Sequence, residues 1–480
     1  MMSDPIPGVV LGIDVGTSGA RAVAATAQGE VRAEAQVAIT DAVADGSRHE
    51  QHPQEWWRAV STAIRKVLTT LGASSDTIAG VAVTSTSGSL VLTDASGQPV
   101  RPAILYDDPR GAAEAEELNL RRPRGAALFN PSFSLVKAVW VRRAAPAVWE
   151  RVRFLLHPAD WLTARLTGQF GTSDESNALK LGFDSETGGW GPAVALAGIP
   201  PEILPRVIRP GQQAGEVCRQ ACEETGLPQG TAVLAGATDG MASLVASGAS
   251  APGHANTTLG TTLVWKVLSE TKPQLTAGMY CHRHPGGWWA PGAASNTGPG
   301  SVRTPNTNLT PAELDALASV HLPSSHLCYL LRSTGERFPF LNSQAETFFE
   351  AEPARPAESW AAQLQSLAFV ERWGYERLRE CGVAVGCQIF STGSAAASPV
   401  LSQLRASVLN REVIRCRYPH SAFGAAILAA SATLFAGRLR SAIRTMTRVS
   451  ASFAPDPATT ERYQSLYEAF RAACARRGYR

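Results

Sequence analysis

Asp14 interrupts an apolar run and is followed at once by Gly16, Thr17, Ser18 and Gly19, in the stretch LGIDVGTSGAR at residues 11–21. A carboxylate in a buried strand is costly unless a cation, a set of donors or a reacting group accompanies it. Arg21 is the one basic side chain close by, which leaves a metal ion or a reacting ligand. A second glycine–hydroxyl turn, Gly260-Thr261-Thr262, follows another short apolar run. Glycine permits close backbone approach and the positive φ of an N–H nest, and the hydroxyls add neutral donors. Two such turns suit a polyphosphate held without a lysine. Asp14 would then anchor Mg²⁺ through water, because that ion keeps much of its hydration shell. Taken singly, each turn is better explained as an ordinary hairpin. Asp239, in AGATDGMASLVASG, lies between a strand and a helical run. A helix N-cap and a general base at a strand end are both open readings there.

Common nucleotide and hydrolase signatures are missing. No lysine follows a glycine, so GxxxxGK is absent, and neither GxGxxG, HExxH nor GxSxG occurs. The 480 residues, 44% hydrophobic and 18% charged, have the proportions of a globular protein. That length predicts two domains of roughly 200 residues each. A net charge of +3 is too small to imply a nucleic-acid partner. The short run Arg121-Arg122-Pro123-Arg124 reads as a solvated loop. Eight cysteines without a CxxC pair predict reduced thiols and a cytoplasmic location. The start, MMSDPIPG, lacks the features of a signal peptide. The longest apolar run, residues 422–437, is shorter than the roughly 20 residues of a membrane span, so a buried helix is expected.

The elements that must carry these residues follow from hydrophobic periodicity. Residues 8–38 predict a β-meander. Trp56, Val60, Ile64, Val67, Leu68 and Leu71 share one face of an amphipathic helix. Residues 78–88 read as a buried strand ending in small hydroxyl residues. Helices dominate from there to about 215, before a strand at 231–235 opens into GATDG. From residue 254, HANTTLGTTLVWKVLSE repeats the strand–turn–strand logic of the start, and QIFSTGSAAASPVLSQL repeats that of VAVTSTSG. Two related α/β halves are expected, with a ligand cleft between them. Residues 301–357, rich in Pro, Ser and Thr, read as loops on the second half.

In this order the motifs resemble the FGGY-type carbohydrate kinases, within the sugar kinase/Hsp70/actin superfamily, over essentially the whole chain. The resemblance rests on LGIDVGTSGAR, ATDG around Asp239 and TLGTT at 259–262. It extends through Ser134 to Trp140, Asp160-Trp161-Leu162, Leu166-Thr167-Gly168 and the Glu461–Tyr467 stretch. GTSGARA, TSTSG, SNALKLGF and GERFP are most similar to the ribulose-kinase-like group of cyanobacteria and plant plastids. The implied fold class is α/β, two actin-like (ribonuclease H-like) ATPase domains with a ligand cleft between them. The implied domains are 1–246 with the sugar and first phosphate site, and 247–419 with the adenosine and second phosphate site. Residues 420–480 are expected as helices packing back on the first domain.

The resemblance implies ATP- and Mg²⁺-dependent phosphorylation of a ketopentose hydroxyl, D-ribulose before D-xylulose. Asp239 matches the catalytic base, and Asp14 the aspartate near Mg²⁺ and the transferred phosphate. Asp14, Ser18, Arg21, Ser87, Tyr106, Asp108 and Asp239 are the implied sugar-site residues; Arg110 completes the Tyr106–Asp108 stretch. Thr17, Ser18, Gly260, Thr261, Thr262 and Gly393, Ser394, Ala395, Ala396, Ala397 are implied to hold the nucleotide. Lys137 and Trp140 read as structural. One departure stands out: where the family's adenosine loop reads Gly-Gly-Gly-x-Lys-Asn, this chain has Gly393 to Ser398 as GSAAAS. That motivates a competing reading, a degenerate kinase acting as a sugar-binding sensor. A third is an ATPase of the actin or Hsp70 type. A sugar and ATP are the expected partners, without nucleic acid or membrane, and a homodimer is left open.

Overall fold

The computed structural model describes residues 8–41, 43–72, 78–122, 128–304 and 307–480. Pro123, Arg124 and the start of the chain to residue 7 lie outside the described residues. Two compact units form, Met1–Ala246 with His420–Met446, and Ser247–Pro419 with Thr447–Arg480.

In the first unit, strands Val9–Gly16, Gly19–Thr26 and Val31–Ala38 form the expected antiparallel meander. Ile78–Ser85 lies parallel to the first of them, and Ala232–Leu234 lies parallel to Ile78–Ser85. Leu11, Ile13 and Val15 alternate into a core shared with Trp56, Val60 and Ile64 of helix Pro53–Leu71. The three parallel strands end at one edge of the sheet. Asp14 stands opposite Thr84 in the register, and Ser85 bridges to Thr238. Carboxyl ends of parallel strands are where such sheets bind ligands.

Helix Ser421–Thr433 belongs to this unit although it comes late in the chain. Small residues let it lie directly on the first strand and on helix Asp239–Ala246. A Cβ on Gly12 would fall 1.9 Å from the Ala422 carbonyl oxygen, and one on Gly424 1.9 Å from that of Ala242. Its residues from Ser421 to Ser431 are all buried, as the apolar run predicts. Among the described residues no helix is long and apolar enough to cross a membrane.

The second unit repeats the plan. Ala255–Leu259 and Leu263–Val267 form a hairpin, and Gln388–Thr392 then Glu412–Cys416 add in parallel within a seven-stranded sheet. Helix Pro356–Glu380 packs through its core, where Glu371 accepts two hydrogen bonds from Arg405 at 2.6 and 2.7 Å. Both side chains are fully buried, and Thr257 and Ser391 complete their hydrogen bonding, as a buried ion pair requires. The described residues between 301 and 355 are largely loop, apart from helix Pro311–Ser319 and short strands.

The carboxy-terminal expectation needs correction, because residues 420–480 do not pack as one piece on the first unit. Only His420–Met446 does so. Helix Pro457–Arg476 carries Tyr463, Tyr467, Phe470 and Cys474 at helical spacing and buries that stripe in the second unit's core. The alanine-rich helix fits a tight space on a sheet, and the aromatic one needs a deep core.

Candidate active site

In the first unit the strand ends bring two carboxylates within electrostatic reach. Ser421 Oγ donates to Asp14 Oδ2 at 2.7 Å, and Oδ1 has no protein donor among the described residues. Burial raises the Asp14 pKa from 3.8 to about 6; the Ser421 bond opposes this, the charge of Asp239 adds to it, and Arg21 opposes it. Ser421→Ala is expected to lift the Asp14 pKa further, moving the acidic limb of the kcat/KM profile toward neutrality by about one pH unit. An unmoved limb would separate Asp14 from activity.

Asp239 is the first residue of helix Asp239–Ala246. The N–H groups of Met241 and Ala242 both donate to the Thr238 carbonyl at 2.9 Å, so Thr238 holds the cap position and Asp239 lies just inside it. The Asp239 carboxylate accepts from the Gly240 N–H at 2.6 Å, where the helix dipole favours negative charge. Its placement is tightly held. A Cβ on Gly236 would fall 1.7 Å from the Val83 carbonyl oxygen. Thr84 Oγ1 donates to the Ala237 carbonyl at 2.5 Å, and the Thr238 N–H donates to Ser176 Oγ at 2.8 Å.

Two further side chains sense the Asp239 charge. Tyr106 is 39% exposed, its hydroxyl pKa raised by burial and then by Asp107 and Asp239. Lys180 donates to the Ser87 carbonyl at 3.3 Å and to Ser132 Oγ at 3.4 Å; burial lowers its pKa and Asp239 opposes that. Sequence reasoning missed both Lys180 and Ser421 as site residues. A lone lysine inside the apolar stretch SNALKLGF was the available signal for the first; nothing local marked the second.

The Thr17-Ser18 turn closes a two-residue hairpin between paired Gly16 and Gly19. Gln51 Nε2 donates to the Thr17 carbonyl at 3.0 Å, and the Ile39 N–H to that of Ser18 at 3.0 Å. Both carbonyls are thus occupied, and neither hydroxyl has a protein partner among the described residues. Neither glycine takes the positive φ expected of a nest. Gly19 is needed because a Cβ would meet the Val37 carbonyl oxygen at 2.8 Å. A Cβ on Gly16 would meet nothing nearer than 4.0 Å, so its missing side chain leaves open space at the turn.

Three expected sugar-site residues stand differently. Asp108 is 1% exposed, accepts from the His49 N–H at 2.9 Å, and is clamped by Arg110 at 2.6 to 3.0 Å. Arg110 also binds Glu50 and stacks on Trp140 at 4.4 Å. Asp108 is therefore a buried anchor behind Tyr106, correcting the expectation of sugar contact. The Arg21 guanidinium engages Gln36 at 3.3 Å and Glu34 at 3.4 Å. Ser87 is half-buried, with its carbonyl toward Lys180.

In the second unit, the Thr261 carbonyl accepts from the Gly300 N–H at 3.1 Å and the Thr262 carbonyl from the Gly260 N–H at 3.3 Å. Again neither hydroxyl has a partner among the described residues, and a Cβ on Gly260 would meet nothing nearer than 3.9 Å. Gly393 follows the strand Gln388–Thr392 with φ +89°, and a Cβ there would fall 2.5 Å from the Leu259 carbonyl oxygen. Ser394–Ala397 form one 3-10 turn. Gly393, Ser394 and Ala397 are exposed and Ala395 half-buried, but Ala396 is 2% exposed and part of the core. Its side chain cannot meet a nucleotide, which corrects that part of the expectation.

Among the described residues no group of three or more His, Cys, Asp or Glu side chains could hold a metal. A single open carboxylate oxygen on Asp14 fits Mg²⁺, which prefers one or two carboxylates with waters and substrate phosphates.

Comparison with known proteins finds matches over most of the chain. The N-terminal domain model of the FGGY family of carbohydrate kinases matches residues 9–246, and the C-terminal domain model matches residues 255–433. A xylulose kinase of Klebsiella pneumoniae is 28% identical over 399 residues, spanning 78% of this chain and 79% of that protein. One from Staphylococcus epidermidis strain RP62A is 25% identical over 480 residues, spanning 97% and 96%. The crystal structure of xylulose kinase from Rhodospirillum rubrum superposes with a TM-score of 0.87 at 28% identity, covering 97% of this chain and 98% of that one.

Proposed function

We propose that this chain, which belongs to the FGGY family of carbohydrate kinases, transfers the γ-phosphoryl group of ATP to a hydroxyl of D-xylulose. D-Xylulose takes precedence over the D-ribulose expected from motifs, because full-length relatives carry the xylulose kinase name. The observation that carries the reaction is the pair Asp14 and Asp239, near the end of one strand flanking Ile78–Ser85 and beyond the end of the other, close enough for the charge of Asp239 to raise the Asp14 pKa.

In this reading Asp239 accepts the proton of the attacking sugar hydroxyl. The new oxygen–phosphorus bond forms as the bond to the β,γ-bridging oxygen breaks, and ADP leaves. Tyr106 offers an exposed ring face to the sugar. The hydroxyls and N–H groups of Thr17 and Ser18 donate to phosphate, and Gly260, Thr261 and Thr262 do so in the second unit. Asp14 would hold Mg²⁺, which when bound neutralises phosphate charge. The reading includes a cytoplasmic location, where ATP is at hand.

A coupled ADP-release assay across D-xylulose, D-ribulose and other pentuloses tests it. The highest kcat/KM is expected with D-xylulose. Sugar-independent ADP release would favour an ATPase. Sugar binding by calorimetry without any ADP release would favour the sensor, the reading that the altered Gly393–Ser398 loop supports.

That loop carries its own prediction. Ser394 and Ala395 add Cβ atoms where the family has glycine, and the loop lacks a lysine and an asparagine. Losing a few nucleotide contacts costs about 1–3 kcal/mol, roughly 5- to 150-fold in affinity. Ser394→Gly with Ala395→Gly is expected to lower the KM for ATP and leave that for the sugar unchanged. Low-micromolar ATP binding by the native enzyme would refute this.

A further inference from the structure

The second unit holds a pocket of about 180 Å³ that none of the expected ligands uses. It is lined by Arg372, Arg379 and Arg411, with Glu376 as the acid among them. That volume equals about six waters at ~30 Å³ each, enough for a phosphate group and a short carbon skeleton.

The charges there do not balance internally. Arg372 is committed, donating to Glu376 at 3.0 Å and to Gln464 at 2.5 Å. Glu376 is shared further with Arg471 at 3.3 Å and with the Tyr467 hydroxyl. The Arg379 side chain makes no hydrogen bond or ion pair among the described residues. Among the described residues the Arg411 guanidinium donates only to the carbonyl of its neighbour Asn410, at 2.8 Å, and its Nε is buried without a partner. Burial and then the charge of Arg411 lower the Arg379 pKa; Glu376 opposes this and Arg372 adds to it. The lining beside Arg379 and Arg411 includes the apolar side chains of Val385, Ile389 and Leu409.

The site is separate from the nucleotide turn. Ile389 lies near the start of strand Gln388–Thr392 and Gly393 follows its end. At ~3.3 Å per residue they stand about 13 Å apart.

The geometry points to a binding site for a small phosphomonoester, its phosphate held by Arg379 and Arg411 and its carbon skeleton resting on the apolar lining. Guanidinium groups bind phosphate oxygens through paired, charge-assisted hydrogen bonds. At the wall Thr460 Oγ1 donates to the Asp456 carbonyl at 2.8 Å, and its oxygen can accept from a hydroxyl of the skeleton. Because the inference does not depend on turnover, it stands or falls apart from the kinase reading.

Titration calorimetry on the full chain tests it, with inorganic phosphate, glycerol 3-phosphate and glucose 6-phosphate as probes. Glycerol, glucose and sodium chloride at matched ionic strength are the controls. Saturable binding of the esters is expected, tighter than that of inorganic phosphate and undiminished by saturating ADP. Arg379→Gln with Arg411→Gln should weaken it about 10-fold or more, with unchanged basal kinase activity and melting temperature. Arg379→Gln alone, at an exposed position, guards against misfolding of the double variant. Absence of saturation, displacement by ADP, or binding that survives these substitutions would each overturn the proposal.

Discussion

Asp239→Asn is expected to lower turnover about 10²- to 10⁴-fold, the range of a general base, with near-normal melting temperature. Asparagine keeps the size of the side chain and an oxygen that can accept from the Gly240 N–H, but it cannot take the sugar proton. Thr238 and not Asp239 holds the helix cap, so the helix start loses little. A coupled assay and a melting curve on the same preparation check both halves. Full activity would remove Asp239 from the base role, and a fall in stability matching the fall in activity would make it structural. A second readout follows from the electrostatics. Asp239 raises the Asp14 pKa, so the variant should move Asp14 toward ordinary acidity.

Asp14→Asn should abolish most phosphoryl transfer yet make the protein more stable at neutral pH. The folded pKa of about 6 lies above the ordinary 3.8, so the folded chain binds this proton more tightly than the unfolded chain. Ionised Asp14 therefore destabilises the fold, fully above pH 6, and the cost disappears as pH falls from about 6 to below 3.8. Removing it gains on the order of 1–3 kcal/mol above pH 6 and nothing near pH 3. Each kcal/mol is worth roughly 2–4 °C in melting temperature for a unit of this size. Melting curves at pH 8 and pH 4, taken with a chelator present, read this out. Equal melting temperatures at pH 8 would show that Asp14 carries no strain. Lost sugar binding in calorimetry would mean that Asp14 meets the sugar directly.

Much of the site was legible because its parts are local. A carboxylate ending an apolar run, a glycine–hydroxyl hairpin and an acid opening a helix each appear within about ten residues. Strand and helix periods likewise expose the meander, helix Pro53–Leu71 and the buried 421–433 helix. Reading Gly16 and Gly260 as positive-φ positions failed for a physical reason. Both hairpins close without left-handed backbone, and the missing Cβ serves access to the turn. Asp108 misled because a motif gives order along the chain and not direction. Only the fold shows that Arg110 and the His49 N–H hold its carboxylate inside.

The amino-acid sequence by itself determined the two α/β halves, the phosphate-suited turns and the acids at strand ends. Hydrophobic period and turn chemistry act over short spans, and they are written residue by residue. The tertiary structure alone decided which distant groups meet. Ser421 reaches Asp14 across 407 positions of chain because Gly12 and Gly424 let a late helix lie on the first strand. It also decided the Asp14 pKa, which is set by burial and by Asp239, and the convergence of Arg379 and Arg411 on one pocket. Burial and long-range charge depend on what packs nearby, and one residue's neighbours along the chain do not specify that.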